Sequence, residues 1–333
     1  MSSGPRHVDE PGVGRSPTLG ELCRVVRRSR DLSSADVERL GGPSRSAVQR
    51  FESGSMPKQG TFAAYLGALA NEHAPRPLAP ADADFLWQAF LAAASARRSE
   101  RAFLHVAYDE AAARTCPAAL KQLLARARSH PYPAMVRDEL WFVHAMNDGV
   151  LRMAGMTPDD PMLHQWAFWN IVGSYFQPRS PFAAAIVDDT LAQAAVRRFL
   201  RSALPLLFTT QMGALRRRLA QLSPESFGAW WLTASTLLLP EQPEAIGRTW
   251  RVDGGIAQLR IGPIETVHVE LLPGVLARFA LISWQPLSEA SAQLVTRRGS
   301  DGRRKLILAA DYDTEADMHV NAWPEVLQSL PDD

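Results

Sequence analysis

The spacing of apolar residues changes period along this 333-residue chain, and that change constrains the fold more than any other feature. Near the front, Leu19, Leu22 and Val26 recur at the spacing of one helix face. Near the back, Val267, Val269 and Leu271 alternate with Thr266, His268 and Glu270, and Val275, Ala277, Phe279 and Leu281 alternate likewise. That is the two-residue period of half-buried strands. A chain of this length with both patterns predicts a helical module in front and an α+β module behind.

The front module carries a second constraint. The stretch "LSSADVERLGGPSRSAVQRFESG", Leu32 to Gly54, breaks a helical run with Gly-Gly-Pro and restarts it at once. Gly frees the backbone and Pro cannot continue a helix, so one short helix ends there. The spacing predicts a first helix over 18–30 capped by Thr18, and a second capped by Ser33 or Ser34 with Val37 and Leu40 inward. A third, capped by Ser44, buries Val48 and Phe51, and a fourth carries Phe62, Tyr65 or Leu66, and Leu69. Two short helices across a tight Gly turn form a helix-turn-helix.

The outward positions of the third helix are Arg45, Ser46, Gln49 and Arg50. Arg matches the O6 and N7 of guanine, and Gln pairs with adenine. Ser44, Ser53 and Lys58 flank the helix as phosphate contacts. Charge agrees: net charge is +1 overall, yet Thr18 to Gly60 holds eight basic and five acidic residues. The alternative is a small bundle with a solvated charged face.

On "LGELCRVVRRSRDLSSADVERL" and "SRSAVQRFESG" this region, about Leu19 to Ala70, resembles the lambda-repressor-like, or XRE, helix-turn-helix family. The resemblance implies docking of the third helix in a major groove. It also implies a DNA-supporting role at the start of the second helix, where the family usually has Gln and this chain has Ser34.

After the Pro- and Ala-rich "NEHAPRPLAPADAD", helical patterning runs to about Arg128. The spacing then predicts a hairpin of strands at Ala134–Val136 and Trp141–Ala145, and a helix capped near Asn147 or Asp148. Helical stretches follow, among them "MLHQWAFWNIVGSYF" and "PESFGAWW". Strands end the module, broken by Gly-Gly, Gly-Pro and Pro-Gly. The blocks "PAMVRDELWFVHAMNDGVLRMAG", "WNIVGSYF", "SPESFGAWW" and "VELLPGVLARFALISWQPLSEASAQLV" resemble the MmyB-like ligand-binding domain, a PAS-like sensor module. That resemblance implies a bound apolar small molecule such as a fatty acid.

The chain has nine tryptophans; Trp141, Trp166, Trp169, Trp230, Trp231 and Trp284 all fall in this region and suit either aromatic pocket walls or a packed core. The expected lining is Trp169, Val172 and Phe176 from helices and Val143, Val269, Phe279 and Leu281 from the inner face of the strands. Arg179 or His144 would meet an acid head group.

Catalytic and metal chemistry are not expected. The eight His form no H-E-x-x-H, no G-x-S-x-G occurs, and the glycines of "VDGGIAQLRIG" mark a hairpin rather than a phosphate loop. Asp159–Asp160 and Asp188–Asp189 read as helix N-termini, and Arg216–Arg218 as a solvated helix face. Cys23 and Cys116 read as small core residues. No eighteen-residue apolar run occurs and the first residues lack a signal-peptide centre, so a cytoplasmic protein is expected.

The expectation is therefore a tail at 1–17, an all-α helix-turn-helix head at 18–72, linker helices at 73–129, an α+β PAS-like domain with an antiparallel sheet at 130–295, and an extension at 296–333. The expected function is a non-enzymatic, ligand-responsive transcription regulator. It would bind double-stranded DNA as a homodimer and an apolar ligand, with no membrane partner and no metal or other cofactor. The alternative is a protein-interaction regulator of antitoxin or scaffold type with a packed, ligand-free core.

Overall fold

The computed structural model describes residues 18–106, 116–177, 179–185, 195–196, 198–200, 202–203, 206, 208, 210–222, 248–252, 254–272, 275–296, 305–309, 312–315 and 318–320. The expected tail at 1–17, Trp230 and Trp231, Asp188–Asp189, the helix at "PESFGAWW" and a closing helix at "WPEVLQSL" lie outside them.

The front is helical: α1 Leu19–Ser29, α2 Ser34–Arg39, α3 Arg45–Glu52, α4 Gln59–Leu69 and α5 Pro80–Val106. Local chemistry sets the first ends. Thr18 and Glu21 form a reciprocal capping box at 3.0 and 3.1 Å, and Ser33 and Asp36 form a second at 2.9 and 3.1 Å. The Ser33 hydroxyl, then Arg39, holds the Asp36 carboxyl well below the usual range. Gly41 takes φ +86°, and a Cβ on Gly42 would lie 2.7 Å from the Val37 side chain and 2.8 Å from that of Ala68. The Gly-Gly break therefore supplies both a left-handed residue and a close helix approach.

The head core joins Cys23, Val26, Val37, Val48, Phe51, Phe62, Tyr65, Leu66 and Leu69 with Leu86, Ala89 and Phe90 of α5. Both Tyr65 and Leu66 face inward. The first half of α5 thus belongs to the head's packing, and Cys23 is one of its fully buried small residues.

Behind it come α6 Ala118–Ser129, β1 Ala134–Arg137, β2 Val143–Asn147, α7 Asp148–Met153, α8 Ile171–Phe176, α9 Pro181–Ala185, α10 Thr210–Leu222, β3 Arg248–Val252, β4 Gly255–Leu272, β5 Val275–Pro286, α11 Glu289–Thr296 and β6 Leu306–Leu308. The strands make one six-stranded antiparallel sheet in the order β3-β4-β5-β1-β2-β6. Helices lie between β2 and β3, so this is an α+β layout whose sheet joins distant parts of the chain. The strand expected at "RKLILAADYD" is β6, on the sheet edge beside β2. A small hairpin follows, β7 Tyr312–Glu315 with β8 Met318–Val320.

Three details depart from the spacing argument. Trp141 lies in the β1–β2 loop at φ +62° rather than in a strand. "MLHQWAFWNIVGSYF" divides into 3₁₀ turns at Pro161–His164 and Trp166–Trp169 and then α8, because Gln165 and Asn170 are extended. Gly262-Pro263 does not break a strand: β4 runs through it with a bulge between Pro263 and Glu265, where the missing proline N–H interrupts the ladder.

Candidate nucleic-acid interface and ligand-holding core

Helix α3 presents two unlike faces. Val48, Phe51 and Glu52 are buried, whereas Arg45, Ser46, Gln49 and Arg50 are exposed. Ser44, Ser53 and Lys58 are exposed around it, and Ser34 is half-buried at the first turn of α2. Ser33, not Ser34, caps α2. Ser44 caps α3, its hydroxyl accepting from the Ala47 N–H at 3.3 Å, and Ser53 donates to the Arg50 carbonyl at 2.8 Å. Lys58 precedes α4 with no side-chain cap bond.

The placement of α3 is fixed by α1. Arg27 Nε and Nη2 each donate to a Glu52 carboxylate oxygen at 2.7 Å, and Arg27 Nη1 donates to the Leu32 carbonyl at 2.6 Å. Arg24 Nη2 donates to the Glu52 carbonyl at 2.6 Å. A Cβ on Gly20 would lie 2.3 Å from the Phe51 carbonyl oxygen, so α1 crosses α3 with backbone nearly touching. The Phe51 ring packs edge-on to Tyr65 at 5.0 Å, whose hydroxyl donates to the Cys23 carbonyl at 2.9 Å. Sequence reasoning missed the buried Arg27–Glu52 pair, because both residues read as surface charges on helices; their separate faces converge only after α1 and α3 cross.

These ion pairs sort the basic residues of the head. Arg24 and Arg27 are engaged by Glu52, Arg30 by Asp82 and Arg39 by Asp36. Arg45, Arg50 and Lys58 form no ion pair among the described residues. Of the four basic residues of 18–60 without an ion pair among the described residues, three therefore lie on or beside the exposed face of α3, and the fourth, Arg28, is exposed on α1.

In the rear module the seven expected lining residues divide between two faces of the sheet. Val143, Trp169, Val172 and Phe176 share the core beneath α7, α8 and α10. Val269, Phe279 and Leu281 lie on the opposite face, packed under Leu120, Leu123, Leu124 and Ala127 of α6. A bulge explains the division. Val136 faces Ala145 while Arg137 faces Val143, so His144 is extra and Val143 turns to the α8 side. His144 packs edge-on to Phe279 at 5.2 Å and meets Asp138 at 2.9 Å. It is not placed beside Trp169, and Arg179 is exposed.

Polar bonds hold the loop over this core. The Trp141 indole donates to the Ser202 hydroxyl at 2.6 Å with the Arg137 guanidinium 4.5 Å over its ring. Burial pushes Arg137 down to about 10, with Asp138 opposing. Asn147 caps no helix with its side chain; instead it bonds the Ala127 and Tyr132 carbonyls and the Ala134 N–H, tying α6 to β1. Asp160 does start a helical turn, accepting from the Met162 N–H at 2.9 Å.

The Arg216–Arg218 run is not a solvated face: Arg216 is buried and its neighbours are half-buried. Burial lowers the Arg216 pKa, and the Glu21 carboxylate of α1 opposes that shift. No group of three His, Cys, Asp or Glu side chains gathers among the described residues, and no described helix is long and apolar enough to cross a membrane. In comparisons with known proteins, no family model matches the chain and no curated protein matches it.

Proposed function

We propose that this chain is a DNA-binding transcription regulator whose rear module holds an apolar small molecule. The observation that carries the reading is the sorting of charge in the head. Intramolecular pairs engage Arg24, Arg27, Arg30 and Arg39, while Arg45, Arg50 and Lys58 around an exposed polar helix face stay available, as does Arg28 on α1. That is the charge and hydrogen-bond pattern for major-groove contact, with Arg45, Ser46, Gln49 and Arg50 toward bases and Ser34, Ser44, Ser53 and Lys58 toward phosphates. The resemblance of this region to XRE heads supports it. A second copy would supply the other half of a two-fold site.

The sensor part rests on the block resemblance to MmyB-like, PAS-like modules and on the antiparallel sheet with one strongly aromatic face. Of the residues expected to line a pocket, Val143, Trp169, Val172 and Phe176 remain together and are the proposed lining. Val269, Phe279 and Leu281 are assigned to packing under α6 instead.

Selection of bound sites from random double-stranded DNA by the full chain tests the head. Enrichment of one palindromic sequence is expected. Arg45→Ala should then lose about 1–3 kcal/mol and relax preference at one base pair. Recovery of no enriched sequence would favour the protein-interaction reading.

A further inference from the structure

Buried indole N–H groups nearly always find an acceptor, because a desolvated donor without one is unfavourable. Two of the buried tryptophans obey this rule: Trp141 donates to Ser202 at 2.6 Å, and Trp169 to the Leu163 carbonyl at 2.8 Å. Two do not. Trp250 on β3 is 1% exposed and Trp284 on β5 is 4% exposed, and neither indole nitrogen has a hydrogen-bond partner. They are not scattered: their rings meet edge-on at 6.3 Å.

The register explains the meeting. Trp250 stands opposite Ala257 on β4, and Trp284 stands opposite Ile261. Ala257 and Ile261 are four residues apart on one strand and so point to the same face. The small Ala257 leaves the two large rings to lean together across β4 within the same aromatic core that contains Trp169 and Val172. Two buried indole donors without partners, on rings that touch in this core, are open to an acceptor brought by a ligand.

We infer that Trp250 and Trp284 together receive the oxygen of a largely apolar small molecule, a carbonyl or a carboxylate, whose hydrocarbon part lies in the core beside α8. This rests on the reading of the rear module as a ligand holder and adds the group that orients the ligand. One acceptor oxygen has two lone pairs and so takes both donors. Spacing names Trp284 only among the tryptophans that suit either pocket walls or a packed core, and does not single out Trp250, because alternation says nothing of where an indole N–H finds its partner.

The test uses the full chain and three probes of matched length: dodecanoic acid, 2-dodecanone and dodecane. Binding is measured by calorimetry for the wild type, Trp250→Phe and Trp284→Phe. The two indole N–H signals are followed in nitrogen-15 spectra and assigned by their loss in each variant. The oxygen-bearing probes should bind more tightly than dodecane. Each substitution should weaken them by roughly three- to tenfold, the worth of one hydrogen bond, and leave dodecane unchanged. Both indole signals should shift on adding an oxygen-bearing probe. Preference for the acid over the ketone would make the natural ligand an anion, and the reverse a neutral carbonyl compound.

Oxygen-bearing probes that bind wild type and variants equally, with both indole signals unmoved, would overturn the donor pair and leave the ligand-holding module standing. Failure of every probe, with no small molecule extracted from the purified wild type, would remove the module's proposed role and this site together. If a phenylalanine variant misfolds, Trp250→Tyr or Trp284→Tyr supplies the assignment, and the wild-type indole shifts then decide the matter.

Discussion

Arg27→Met should destabilise the head by about 3 kcal/mol. The substitution keeps a long apolar stem but removes three hydrogen bonds, at 2.7, 2.7 and 2.6 Å, and the positive charge facing Glu52. The Glu52 side chain is only 5% exposed, so its carboxylate stays buried. Removing one partner of such a pair typically costs about 3–5 kcal/mol, most of it the desolvated charge left behind. Arg24 Nε remains 3.9 Å from Glu52 Oε2, and its side chain is 39% exposed, which softens the loss and places it at the lower end. For a cooperative unit of roughly this head's size, that corresponds to a fall of about 12–24 °C in the temperature at which the head unfolds.

Calorimetry of the full chain gives that transition, and the double substitution Arg27→Met with Glu52→Leu gives the coupling. Replacing both charges should recover most of the loss, because no buried carboxylate is then stranded. A single-variant loss below about 1 kcal/mol, or losses that simply add in the double variant, would refute the claim that this pair fixes α3 on α1. DNA binding supplies a second readout. A head that is folded at low temperature but binds its selected site weakly would show that the pair also sets the angle of α3.

Three further outcomes follow from the same geometry. Lys58→Ala should reduce the salt dependence of DNA binding by about one charge, read as the slope of log affinity against log salt; an unchanged slope removes Lys58 from the interface. Burial raises the Glu139 pKa, while the Arg278 backbone N–H at 2.6 Å and the Arg278 charge oppose. The folded state then keeps a proton that the unfolded chain has lost, so stability falls as pH rises from the ordinary glutamate range through the raised value. Glu139→Gln should abolish that slope in urea midpoints taken from pH 4 to 7, and parallel curves for the two proteins would refute it. Finally, Gly20→Ala should displace α1 from α3, since its new methyl would sit on the Phe51 carbonyl, with a fall in head stability of at least about 1 kcal/mol; a neutral result would mean that the helices separate without strain.

The front module was legible in the sequence because its signals are local. A cap residue, a glycine break and an i, i+3, i+4 stripe all act within a few residues; Thr18 and Ser44 each start the helix that spacing assigned to them, and of Ser33 and Ser34 it is Ser33 that caps the second. Strand alternation was legible for the same reason where side chains are described, with Val269, Phe279 and Leu281 buried and His268 exposed; Leu271 and Val275 lie outside the described side chains. What alternation does not reveal is which face of a two-sided sheet is which. Here both faces are covered, one by α6 and the other by the helices between β2 and β3. One extra residue, His144, then moves Val143 to the face opposite Phe279. Bulges arise from pairing between strands, so a single strand's pattern does not announce them.

The two modules meet through an element that spacing assigned wholly to the head. Leu22 of α1 and Phe208 of the rear module each pack against both the head core and the helix-side core of the sheet. Leu22 stands on the same helix as Gly20, Arg24 and Arg27, the three residues that seat α3. Ligand occupancy changes DNA affinity only if the competent and incompetent arrangements bind the ligand differently. With the linker helix α5 packed into the head core through Leu86 and Phe90, the difference need not arise in a flexible connection. It can arise where Leu22 and Phe208 bridge the two cores, Leu22 standing on α1, whose displacement is resisted by the Arg27–Glu52 pair and the Gly20 contact. Under this arrangement Phe208→Ala would leave operator affinity near its unliganded value and erase the effect of ligand upon it. A ligand effect that survives the truncation intact would instead place the coupling along α5.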